Sequence, residues 1–146
     1  MNHPRILIIF LMAFLSLNSE PVFACKPRWH QASEYVKGTV PNSAVFWGTV
    51  QSVSETKKED GTSTLKIVFI VNEWFSGKPQ ATVIVRGATG TYKGTDCEGQ
   101  FDFTANAGEK WLIFGQVYEG AVSPDTHLSR KLAGDRAPSS LLGQLK

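Results

Sequence analysis

The chain has 146 residues, with 15 Lys or Arg against 13 Asp or Glu and a formal net charge of +2. That length holds one domain, and 42% hydrophobic against 19% charged residues excludes a disordered polyelectrolyte. The two signs are interleaved rather than gathered in a basic stripe, which argues against a nucleic-acid partner, and two cysteines are too few for a zinc ribbon or a disulfide-dense scaffold.

Residues 1–24 read as a cleaved signal peptide. Arg5 is the cation of a short leading segment, residues 6–17 are almost wholly apolar, and residues 18–21 are polar and end in Pro21. The apolar run is shorter than the roughly 20 residues that span a bilayer, so no transmembrane anchor is expected. Val22 and Ala24 suit signal peptidase, with the cut after Ala24 and Cys25 as the mature N-terminus. Bacterial lipoproteins also mature to a cysteine, which is then acylated. However, Val22 and Phe23 stand where such sites prefer Leu and a small residue, and the polar residues 18–21 interrupt the run. Export to the periplasm or medium is therefore favoured over a lipid anchor at Cys25. Two cysteines in an exported chain are most simply one disulfide, Cys25 to Cys97, with two free thiols as the alternative. Closing a loop of about 73 residues disfavours the unfolded chain by about 4 kcal/mol in the chain-entropy model.

In the mature chain, residues 31–37 suggest one helical turn stopped by Gly38. The periodicity then changes to two. Residues 44–53 read as the first strand, and Lys57, Lys58, Glu59, Asp60 and Gly61 form a charged turn. Residues 63–75 are a second strand, apolar on both faces from Ile67 to Val71 and so expected to lie between two layers. Residues 81–86 are the third, residues 87–96 a glycine-rich loop, residues 100–104 a short strand, and residues 110–118 a further long one. After Gly120 the pattern loosens, and residues 138–145 suggest a closing helix with Pro138 in its first turn. This is a mainly β domain over 25–146, expected as a five-stranded Greek-key OB-fold barrel with short flanking helices. An immunoglobulin-like sandwich needs about seven strands and is the runner-up. Ile67, Phe69, Val71, Val83, Val85, Leu112 and Phe114 are the expected core.

The mature N-terminal Cys25, the strand Val45-Phe46-Trp47-Gly48-Thr49-Val50, the strand ending in Ser76-Gly77-Lys78, the lone Cys97 and Glu109-Lys110-Trp111-Leu112-Ile113-Phe114 together resemble the netrin-like module. They look most like the bacterial relatives of the tissue inhibitors of metalloproteinases. The resemblance implies an OB barrel and a first cysteine pinned to it by a disulfide. It also implies a non-enzymatic protein-interaction function, with a metalloproteinase as the partner. In the animal inhibitors the α-amine and carbonyl of the first cysteine chelate the protease zinc, and Cys25 takes that place here. An α-amine titrates near about 7.7–8.0, so part of it is neutral at pH 7, and catalytic zinc keeps a position open for such a donor. Cys25, Lys26, Pro27, Arg28 and Trp29 are then the binding ridge. The animal inhibitors have a small residue and a second cysteine where this chain has Lys26 and Pro27.

No resident cofactor or metal is expected. His30 and His127 are far apart in the chain and have no Cys/His cluster around them. Ser123, Asp125 and His127 hold the residue types of a hydrolytic triad, but five consecutive positions do not converge in triad geometry. The loop 87–94 with Lys93 lacks the Gly-Lys-Thr ending of a phosphate loop. Trp47, Trp74 and Trp111 lie in apolar strands and are expected to pack. Trp29 is the tryptophan expected to be exposed, and with the loop 87–96 it supports an alternative function, an OB domain binding a glycan or small ligand.

Overall fold

The computed structural model describes residues 30–134 and residue 143. One short helix, α1 (Ala32–Val36), precedes strands β1 (Ser43–Lys57), β2 (Ser63–Ser76), β3 (Thr82–Thr89), β4 (Lys110–Tyr118), β5 (Ala121–Pro124) and β6 (Arg130–Lys131). The sheet order is β1-β2-β3-β5-β4-β6, and β1 also pairs with β4, so the first five strands close on themselves. All pairings are antiparallel except β3 with β5, which meet in parallel at Val85 and Val122. This is the expected mainly β, OB-fold-like barrel.

Closure depends on irregularities in the ladder between β1 and β2. The register shifts between Val45 and Phe46, Trp47 and Gly48, and Val50 and Ser52. The unpaired residues are Phe75 and Asn72 on β2 and Gln51 on β1, and each bends and twists its strand, which lets β1 serve two neighbours around a tight barrel. Gly48 sits in the bend, where an added Cβ would meet the Ile70 carbonyl oxygen at 2.6 Å. The N-terminal half of β1 is buried and its last seven residues are exposed, because beyond Thr49 no β4 residue pairs with it.

Two buried clusters lie on opposite faces of β1 and β4. The barrel interior holds Phe46, Val50, Leu65, Ile67, Phe69, Val83, Val85, Phe103, Ile113 and Val122. Phe46 meets Phe69 edge-on at 5.8 Å and Trp74 at 5.0 Å. Outside the barrel, Tyr35, Val40, Val45, Leu112 and Phe114 form a second cluster with Leu128 and Leu132 packed on it. Leu112 and Phe114 are thus buried as expected, but under α1 and the segment 125–132 rather than in the barrel lumen. Val71 is half-buried against the interior. The sandwiched strands are β1 and β4, not β2: Leu65, Ile67 and Phe69 of β2 point inward while Ile70 is 48% exposed. All three described tryptophans are half-buried, as their strand positions implied.

α1 is a single turn and owes its formation to packing, since so short a helix is unstable alone. The Glu34 carboxylate accepts the Gln31 N–H at 2.6 Å. Gly38, at φ 69°, ends the turn where its N–H reaches Tyr35 O at 3.1 Å. The expected strand at 100–104 reduces to one bridge between Ala88 and Phe103, since turns occupy residues 90–101. Residues 138–145 lie outside the described residues except for Gly143, which sits in a turn.

Glu109 fastens the start of β4. Its carboxylate accepts Lys131 Nζ at 2.7 Å, Asn106 N at 3.0 Å, Asn106 Nδ2 at 3.1 Å and Trp111 Nε1 at 3.0 Å. The Lys131 ammonium first, and then the Asn106 and Trp111 donors, lower its pKa from 4.5 to about 2. A carboxylate depressed in the folded state stabilises the fold above its unfolded pKa and loses that contribution as pH falls toward the folded value. Glu109→Gln should therefore cost about 1–2 kcal/mol at neutral pH, given that Lys131 is solvent-facing and screened. The gap to the native protein should close between pH 4.5 and about 2. Urea unfolding across that range checks this, and a gap independent of pH contradicts it.

Candidate functional site

The loop between β3 and β4 lies at one end of the barrel and carries Cys97, which is 5% exposed. Among the described residues there is no free cysteine. The loop is held by one carboxylate: Asp102 Oδ2 accepts Gly90 N at 2.9 Å, and Oδ1 accepts Thr91 N at 3.0 Å and Thr91 Oγ1 at 2.6 Å. Burial alone would raise the Asp102 pKa, but the Thr91 and Gly90 donors outweigh it and hold the carboxyl below its ordinary range. Further along, Cys97 N donates to Thr95 Oγ1 at 3.2 Å, and Thr95 Oγ1 in turn donates to Tyr92 O at 2.6 Å. Thr126 Oγ1 donates to Gln100 O at 3.0 Å and so ties the loop to the turn after β5.

Two aromatic rings stand on this frame. Tyr92 is 58% and Phe101 36% exposed, and their centroids are 5.4 Å apart. Tyr92 also holds φ at 53°, a left-handed conformation that costs a bulky side chain about 1 kcal/mol or more. An exposed aromatic pair on a cross-braced loop, with one member in a strained conformation, is the kind of surface that partners bury.

The adjoining wall is where the chain enters the described fold. The His30 ring meets Tyr35 edge-on at 5.6 Å, and Tyr35 meets Phe114 at 5.8 Å. Tyr35 OH donates to Asp125 Oδ2 at 3.3 Å, while Asp125 Oδ1 accepts His127 N at 3.0 Å and Leu128 N at 3.1 Å. Burial first, and then the Asp125 charge, push the Tyr35 hydroxyl above its ordinary pKa, so it remains a proton donor. Asp125 thus folds the turn 125–128 and fastens α1.

Cys25, Lys26, Pro27, Arg28 and Trp29 lie outside the described residues, and so does the signal segment. His30 and His127 both belong to the wall around Asp125, but no group of three His, Cys, Asp or Glu among the described residues could hold a metal ion. No helix among the described residues is long and apolar enough to cross a membrane. No family model, curated protein or solved structure matches this chain.

Proposed function

We infer that the chain is an exported, non-enzymatic protein-interaction module of the netrin-like type. It docks through the Cys97 end of the barrel together with Cys25, Lys26, Pro27, Arg28 and Trp29. The observation that carries this reading is the position of Cys97, buried in a braced loop beside the exposed Tyr92 and Phe101. A Cys25–Cys97 disulfide fastens the mature N-terminus beside that aromatic pair, so that one surface presents both. A rigid N-terminus binds at lower ordering cost than a loose one. The partner class is a zinc metalloproteinase, whose metal receives the α-amine and carbonyl of Cys25. Lys26 follows directly, so the enzyme subsite it enters has to accept a long cation.

The mature protein beginning at Cys25 should inhibit members of a panel of zinc metalloproteinases. A form with one residue added ahead of Cys25 should not, because the amine becomes an amide and moves off the metal. Inhibition that survives the extension places the binding surface elsewhere on the barrel, and a panel without inhibition removes the protease as partner. The exposure of Tyr92 also favours a second reading, a glycan or small-ligand site formed by the loop 87–96 together with Trp29. Binding on a glycan array that is lost in Tyr92→Ala, with no protease inhibited, would select it.

A further inference from the structure

The opposite end of the barrel holds a cleft of about 450 Å³ between the α1–β1 connection, the β2–β3 turn and the β4–β5 turn. That volume is within the range of small-molecule sites, and it takes about ten to fifteen methylene-sized groups at about 30 Å³ each. Its apolar lining comes from Val40, Trp74, Val83, Val117 and Val122. The Ser43 hydroxyl also lines the cleft but is paired with Ser76 Oγ at 3.1 Å. The walls are fixed in place. Val117 N donates to Asn42 O at 2.8 Å, Gln116 Nε2 to Pro41 O at 3.0 Å, and Trp74 Nε1 to Gln80 O at 2.8 Å.

One cationic residue belongs to this lining. Lys78 lines the cleft, no Asp or Glu does, and none of the ion pairs among the described residues involves it. A preformed, mainly apolar cleft lined by one lysine and no carboxylate suits one ligand chemistry, an aliphatic chain ending in one anionic head. A cationic amphiphile meets repulsion there, and a neutral one leaves the ammonium unanswered. We propose that this cleft is a binding site for an aliphatic monocarboxylate of medium chain length, with the chain against Trp74 and Val117 and the carboxylate on Lys78. The site lies at the barrel end away from Cys97 and does not depend on the protease reading.

The test titrates isotope-labelled mature protein with decanoate, decanol and decylammonium below their micellar range, following the Trp74 indole and the valine methyls by NMR. Decanoate should bind saturably at these residues, with decanol about two- to fivefold weaker, the factor that an ion pair with an exposed lysine supplies, and decylammonium weaker still. Lys78→Gln should reduce decanoate affinity to that of decanol and leave decanol unchanged. Val117→Trp, a filling change at a partly exposed position, should abolish both. Equal binding of decanoate and decanol overturns the proposal, as does a response centred on Tyr92 and Phe101 or an undiminished affinity in Lys78→Gln.

Discussion

Replacing Cys97 by alanine should lower the stability of the mature protein by about 4 kcal/mol, the loop-closure contribution of a link spanning about 73 residues. For a domain of about 120 residues that is a fall of roughly 15 °C in melting temperature. Cys97 is almost wholly buried, so the substitution also removes some packing, and a second arm separates the two effects. The native protein in reductant should lose most of the same stability, and Cys97→Ala should lose nothing further on reduction. If reductant leaves the native protein unmoved, Cys97 is a packed thiol and the proposed fastening of Cys25 is lost.

Phe46→Ala should cost about 3–5 kcal/mol, the range for deleting a fully buried aromatic ring. Phe46 is 0% exposed, lies opposite both Ile113 of β4 and Trp74 of β2, and packs on Phe69. Its ring therefore joins the two seams by which β1 closes the barrel. Phe46→Leu, which keeps most of the volume, should cost about 1–1.5 kcal/mol. Ile70→Ala, on the open face of β2, should stay within about 0.5 kcal/mol. Urea unfolding of the three variants checks the order, and equal costs for Phe46→Ala and Ile70→Ala would contradict the inward and outward faces described above.

The four long strands were legible because their apolar residues alternate over runs bounded by turn chemistry, as in Lys57 to Gly61 and Ser76 to Pro79. Periodicity could not tell which strands are covered on both sides. Ile67 to Val71 and Val45 to Trp47 are equally apolar, yet the outer face of β1 is roofed by α1 and the segment 125–132 while that of β2 is open at Ile70 and covered only near Phe75. That difference is tertiary. β5 was not read because four residues ending in Pro124 carry no periodic signal. It forms by filling the gap between β3 and β4, with Val122 completing the interior.

At the site, the glycine-rich loop 87–96 after β3 was legible from turn residues alone, and Cys97 follows it directly, in turns that continue to residue 101. The brace around it was not. Asp102, Thr91, Tyr35 and Asp125 are unremarkable in isolation, and the Tyr35–Asp125 contact spans 90 positions of sequence. The strain at Tyr92 was equally hidden, since a left-handed tyrosine has no compositional signature. The cleft at Lys78 arises from three separate turns, each ordinary by itself.

The central claim is that Cys25 becomes a free N-terminal residue fastened to Cys97. The intact mass of the mature protein, purified from the exporting cell and measured before and after reduction, tests it most directly. The expected mass is that of residues 25–146 without acylation, lower by two hydrogens before reduction, with both cysteines accepting thiol label only afterward. An uncut chain, a lipid adduct at Cys25, or two labelled thiols in the unreduced protein would contradict it.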